Sequence, residues 1–284
     1  MIDSAAGSAG PGEGGVPGAG PDSSGSSGSS DVEVAVAAAR AGADIVRELY
    51  GGRLERVDKG GGDFATAADL AAERAILDVL RAARPGDAVL GEEGGRRGAA
   101  DADRLWLVDP LCGTLNYAVG TMLVAVNVAL RDGAAAVADP FSGEVFHTDG
   151  ATAHVRAGGA DTPLVPSAAS ALVDINLDPP LPAARLLTDP AFGTRFRARV
   201  GSTTLALAWV AAGKRAAYVT DGGDLTASLH FAAGIALCRA AGCTLTDLTG
   251  APLGPAARGL IAAADPATHA QLLALARDSA IGDR

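Results

Sequence analysis

Two short apolar runs in this chain, Ala88-Val89-Leu90 and Leu105-Trp106-Leu107-Val108, lead straight into carboxylates, Glu92-Glu93 and Asp109. Runs of this length read as short buried strands, and folds that alternate such strands with helices build their sites where the strands end. The pattern therefore predicts an α/β protein with acids gathered at a set of strand ends. Ser30 followed by Glu33 has the spacing of a capping box, opening a helix over 31 to 50 that Gly51-Gly52 closes. From Ala67 to Ala83, Leu70, Leu77 and Leu80 recur on one helical face, and the run halts before Pro85.

Between Leu123 and Val155 the periodicity changes. Alternating segments at 123–130, 134–138, 144–148 and 152–155, punctuated by Asp132-Gly133 and Asp149-Gly150, predict an antiparallel meander without helices. From 172 onward strands and helices alternate again: strands at 172–175, 216–220 and 260–263, helices at 203–212, 229–241 and 267–276. No internal repeat is visible.

Composition narrows the classes. With 48% hydrophobic and 20% charged residues among 284, the chain can bury a large core, as one extended unit or two intimately packed halves. Residues 1 to 30 are more than half Gly and Ser and carry no Lys or Arg, a composition expected to stay disordered. The folded part then divides into an N-terminal α+β half, 31 to 170, and a C-terminal α/β half, 171 to 284. A net charge of −10 argues against a nucleic-acid binder, which needs a dense basic face. No stretch reaches the roughly 18 apolar residues of a membrane span, and Met1-Ile2-Asp3 opens no targeting signal. Cys112, Cys238 and Cys243 form neither a C-x-x-C pair nor an even set, which fits a reducing cytoplasm.

Four ordered segments carry a resemblance. They are Asp63-Phe64-Ala65-Thr66-Ala67-Ala68-Asp69-Leu70-Ala71-Ala72-Glu73; Gly91-Glu92-Glu93; Asp109-Pro110-Leu111-Cys112-Gly113-Thr114-Leu115-Asn116-Tyr117; and Leu229-His230-Phe231-Ala232-Ala233-Gly234. In this order they resemble the inositol monophosphatase family, with its D-L-V-T-x-x-D-x-x-x-E, G-E-E, D-P-x-D-G-T-x-N-F and W-D-x-A-A-G. Val200-Gly201-Ser202 and Leu245-Thr246-Asp247-Leu248-Thr249-Gly250 extend the similarity over nearly all of 31 to 284. The resemblance implies a layered αβαβα sandwich and a metal-dependent phosphatase acting on a small phosphorylated metabolite, with a homodimer as a further analogy. Hydrolysing a phosphate monoester needs cations to stabilise oxygen charge, which clustered carboxylates holding Mg²⁺ supply.

Matched residue by residue, Glu92, Asp109 and the Leu111 carbonyl correspond to a first Mg²⁺ site. Thr114 corresponds to the hydroxyl that orients the attacking water, and Asp69 to an outer-shell or third-metal carboxylate. Gly113 and Thr114 match the phosphate cradle, which Gly201 and Ser202 adjoin. Lys59 resembles a lysine near the family's site and reads equally as a loop charge. At two positions where the family has Asp, this chain has Cys112 and His230. A thiolate and an imidazole beside Asp109 suit Zn²⁺ or another borderline ion at the second site. The segment from Asp221 to Ser228 is longer than usual and Leu229 replaces tryptophan, so the substrate does not carry over. Three readings follow: a phosphatase with an altered second metal, a degenerate member that binds a phosphorylated ligand or protein partner, and a hydrolase or transferase using Cys112 as nucleophile with His230 as its base.

Overall fold

The computed structural model describes residues 29–52, 56–60, 63–177 and 182–278. The expected tail falls almost wholly outside the described residues, as does the Lys59 side chain. The described chain opens with α1 (Asp31–Glu48), where the Ser30 hydroxyl accepts from the Glu33 N–H. A small antiparallel pair, β1 (Arg56–Gly60) and β2 (Asp63–Thr66), leads into α2 (Ala67–Ala83). Thr66 and Asp69 cap α2 reciprocally: the Thr66 hydroxyl accepts from the Ala68 N–H, and the Thr66 N–H donates to Asp69 at 2.8 Å.

The first large sheet follows with β3 (Ala88–Gly91), β4 (Gly95–Arg97) and β5 (Leu105–Cys112), the one-turn α3 (Thr114–Ala118), and then the meander. The meander runs through β6 (Ala125–Leu130), β7 (Ala135–Ala138), β8 (Val145–Thr148), β9 (Ala153–Ala157) and β10 (Ala160–Pro163). Its eight strands lie in the order β10-β9-β8-β7-β6-β5-β3-β4, with the β3–β5 pair parallel. The second sheet takes β11 (Leu172–Ile175), β12 (Arg197–Val200), β13 (Ala217–Thr220), β14 (Thr244–Thr246) and β15 (Leu260–Ala263), in the order β12-β11-β13-β15-β14. Its helices are α4 (Pro190–Arg195), α5 (Leu205–Ala211), α6 (Ala232–Ala241) and α7 (Pro266–Asp278), with a 3₁₀ turn at Pro182–Thr188.

Three apolar clusters glue these elements into five layers. Val34, Ile76 and Leu80 of α1 and α2 pack with Trp106 and Val126 on one face of the first sheet. On its other face Leu107, Val137 and Phe146 meet Leu207 of α5 and Leu237 of α6, and the same cluster reaches Tyr218 and Leu260 of the second sheet. The outer face of that sheet, through Val173 and Ile261, is covered by Leu272 and Leu275 of α7 together with Phe192 of α4. The order is helix, sheet, helix, sheet, helix. The sandwich read from the motifs is the one observed.

One predicted boundary changes the site. The helix expected over 229–241 starts only at Ala232, because the Ser228 carbonyl accepts from both the Phe231 and Ala232 N–H groups and closes a turn there. His230 therefore sits in that turn.

Candidate active site

Asp109, Cys112 and His230 are brought together across more than a hundred residues by a bulge and a turn. Along β5, Asp109 pairs with Asn127 and Cys112 with Ala125, so three steps on β5 oppose two on β6. An unbulged strand would aim positions three apart to opposite faces; the extra residue restores the same face. Cys112 accordingly joins Leu107 in the cluster against α5 and α6, while Leu111 joins Val108 on the opposite face. The turn before α6 lowers His230 onto this face.

The resulting contacts are short. His230 Nδ1 lies 2.7 Å from Asp109 Oδ2, and Asp109 is fully buried whereas the imidazole is half exposed. Asp109 Oδ1 accepts from the Leu111 N–H at 3.1 Å. Potential ligand atoms of Asp109, Cys112 and His230 all lie within 4.8 Å of one another. Thr204, at the entry to α5, knits the group: its hydroxyl contacts the Cys112 sulfur at 3.5 Å and donates to the His230 carbonyl. Asn127 Nδ2 reaches Thr204 Oγ1 at 3.0 Å and Asp109 Oδ2 at 3.3 Å. The buried Asn127 Oδ1 has no hydrogen-bond partner among the described residues.

Electrostatics follow from these contacts. The hydrogen bond from His230 to the Asp109 carboxylate, and then the Cys112 thiol beside it, hold the imidazole well above its ordinary range and therefore protonated. Burial pushes the Cys112 thiol up, and the Asp109 charge adds to the shift. A thiol so placed is a poor nucleophile, since the thiolate is the reactive form.

The other expected residues are distributed around one cleft of about 580 Å³, whose lining includes Glu92, Cys112, Gly113, Thr114, Ser202 and His230. Thr114 Oγ1 lies 3.0 Å from Asp69 Oδ1 and 3.1 Å from the Leu111 carbonyl. Asp69 is buried beneath it, and that burial raises its pKa against the opposing hydrogen bonds from Thr66 and Thr114. Gly113 has φ 103°, and a Cβ there would come within 2.8 Å of Thr203 Cγ2. Ser202 accepts from Asn116 Nδ2 at 3.2 Å. Gly201 lies just behind, against Asp174. Glu92 faces the cleft but stands outside the Asp109, Cys112 and His230 group.

Sequence reasoning missed Asn127 and Thr204. Asn127 is the one polar side chain in the apolar run from Leu123 to Leu130, a signal that was available. Thr204 carried none. Asp221 also lines the cleft, and its carboxylate accepts from the Ala183 N–H at 2.9 Å.

Against known proteins, the model of the inositol monophosphatase family matches residues 29–280. Inositol-1-monophosphatase ImpA of Mycolicibacterium smegmatis is 35% identical over 239 residues, covering 78% of this chain and 83% of the relative. Nus factor SuhB of Escherichia coli K12 is 32% identical over 268 residues, covering 87% and 96%. The crystal structure of extragenic suppressor protein suhB from Bartonella henselae superposes with a TM-score of 0.75 at 27% identity, covering 86% of this chain and 97% of that one.

Proposed function

The chain belongs to the inositol monophosphatase family, and from that premise we propose that its cleft hydrolyses a small phosphate monoester with a borderline cation held by Asp109, Cys112 and His230. The observation that carries this is the convergence of those three donors, with Cys112 and His230 lining the cleft and Asp109 buried behind them. Drift away from metal binding has no reason to leave a sulfur and an imidazole, both competent ligands, beside the buried carboxylate.

The residues fit such an ion by donor chemistry. One oxygen, one nitrogen and one sulfur suit Zn²⁺ better than Mg²⁺. To hold such an ion, His230, now 2.7 Å from Asp109, and the Cys112 thiol would give up their protons. Glu92 and the Leu111 carbonyl, with Asp109, would be the oxygen set for Mg²⁺ at the first position the resemblance implies. Such cations, when bound, polarise the phosphoryl oxygens. Thr114, fixed by Asp69 and the Leu111 carbonyl, offers its remaining lone pair to a water in the cleft. The backbone of Gly113 and Thr114 would cradle the phosphate, and Ser202 lines the same cleft.

A second reading rests on the same 2.7 Å contact. A protonated His230 paired with Asp109 is itself a cation at the cleft wall, so it would bind a phosphorylated ligand without turnover. The Cys112 nucleophile is disfavoured by burial of the thiol. Equilibrium dialysis with Zn²⁺ followed by elemental analysis, alongside hydrolysis of p-nitrophenyl phosphate, separates the readings. The proposal expects one zinc per chain, lost in Cys112→Ser, and hydrolysis that chelation abolishes. Phosphate binding without stoichiometric zinc or turnover would install the second reading. Metal-free turnover blocked by alkylation of Cys112 would install the third.

A further inference from the structure

A second cleft, of about 450 Å³, opens on the same side of the first sheet as α6, and two arginines reach it from different elements. Arg131 enters from the turn joining β6 to β7, Arg239 from the last turn of α6. Among the described residues neither guanidinium has an ion-pair or hydrogen-bond partner. Arg84, Arg104, Arg156 and Arg215, by contrast, each hold a carboxylate. Asp132 is the only acid lining the cleft, so two cations face one anion. The floor is apolar, formed by Leu107, Ile235 and Ala236 among others.

We propose that this cleft is a second ligand site, for a small phosphorylated organic molecule, coupled to the active cleft through the segment Asp224–His230. Paired guanidinium forks suit a phosphate dianion, and an apolar floor with a few convergent polar groups is the usual make-up of a small-molecule pocket. The coupling is structural. Thr226 and Ala227 line the second cleft, while Leu225, Ser228 and His230 line the first. The stretch between is a run of linked turns: the Asp224 carboxylate accepts from the Thr226 N–H at 3.0 Å and from its hydroxyl at 2.5 Å, the Leu225 carbonyl accepts from the Ser228 N–H at 3.3 Å, and the Ser228 carbonyl accepts from the Ala232 N–H at 2.9 Å. A ligand pressing on Thr226 shifts the turn that positions His230, and linkage makes the effect reciprocal. This segment is thus the shared wall of two sites.

The test is a titration of the full chain with inorganic phosphate and with glycerol phosphate, read by backbone amide shifts. Gly133 and Gly150 report the second cleft, Gly113 and Ser202 the first. Both pairs move in the natural protein, with glycerol phosphate the tighter ligand at Gly133 and Gly150. In Arg131→Gln/Arg239→Gln the Gly133 and Gly150 response weakens roughly tenfold or more, as loss of two charge-assisted contacts implies, while Gly113 still moves with an altered midpoint. Both arginines are exposed, and single variants with unchanged melting temperature guard against misfolding. Gly133 and Gly150 shifts that are absent, or unchanged in the double variant, overturn the site; an identical Gly113 midpoint overturns the coupling. A silent Gly113 with a responsive Gly133 would instead strike the proposed function and leave the second site standing.

Discussion

At the scale of single residues, the atoms that surround Asp109 are a sulfur and an imidazole, where the motifs of the resembled family carry aspartates. Sulfur and imidazole favour a borderline ion; three carboxylates favour Mg²⁺. Cys112→Asp combined with His230→Asp restores the oxygen set on a scaffold that already orients it, since the β5 bulge and the turn before α6 are backbone features. Mg²⁺-dependent hydrolysis of p-nitrophenyl phosphate should rise at least roughly tenfold, about 1.4 kcal/mol of barrier, and zinc affinity should fall. Each single change should do far less, because ligands of one ion act as a unit. A double variant that binds Mg²⁺ and hydrolyses nothing above background would show that the donor set at Asp109 is not what limits hydrolysis, and would turn attention to the segment after Asp221.

At the scale of elements, the buried strands and long helices were legible because each carries an apolar face: α2 spans 67–83, and β11 and β15 span 172–175 and 260–263, as read. The strands that went unread include all four edges of the two large sheets. β4 and β10 are fully exposed, β12 nearly so, and β14 is only partly buried. An edge strand is held by backbone pairing on one side and writes little hydrophobic pattern into its residues. The site divides the same way. Motif positions could be named from sequence, but the Thr204 and Asn127 bridges depend on which elements meet, and that is a tertiary fact. The glycine of Gly91-Glu92-Glu93 shows what such a meeting demands. A Cβ at Gly91 would stand 2.5 Å from Glu73 Oε2, the oxygen that accepts from the Glu93 N–H at 2.8 Å. Gly91→Ala should therefore displace a buried carboxylate and cost about 1 to 3 kcal/mol. Denaturant unfolding of Gly91→Ala, Glu73→Ala and the double variant checks this, and the double should be well short of additive. Additive losses would mean that the two residues do not collide.

At the scale of the molecule, the first layer is fastened to the far end of the sheet by a charge cluster. Arg156 of β9 reaches Glu33 of α1 at 2.8 Å and Asp161 of β10 at 2.7 Å, and Asp161 also takes His147 Nε2 at 3.2 Å. The Arg156 guanidinium, hydrogen-bonded to Asp161, holds that carboxyl far below its ordinary range. Burial lowers the pKa of His147, so at neutral pH it is an uncharged partner and Arg156 supplies the charge. A carboxylate whose folded-state pKa is depressed contributes stability that is fully present above its unfolded pKa, about 3.9, and lost as pH falls toward the folded value. The Asp161 side chain is 37% exposed, and solvent screening limits the whole contribution to about 1 kcal/mol. Asp161→Asn should then unfold about 1 kcal/mol more easily at pH 7, with the difference steady down to about pH 5 and shrinking steadily below about pH 4. High salt should shrink it at pH 7 as well, since an exposed pair is screened. Paired urea titrations of the natural and variant chains at pH 7, 5 and 3 provide the measurement. A difference that grows as the solution is acidified would reverse the sign and show that Asp161 is held against its preference, with His147 and not Arg156 governing its charge.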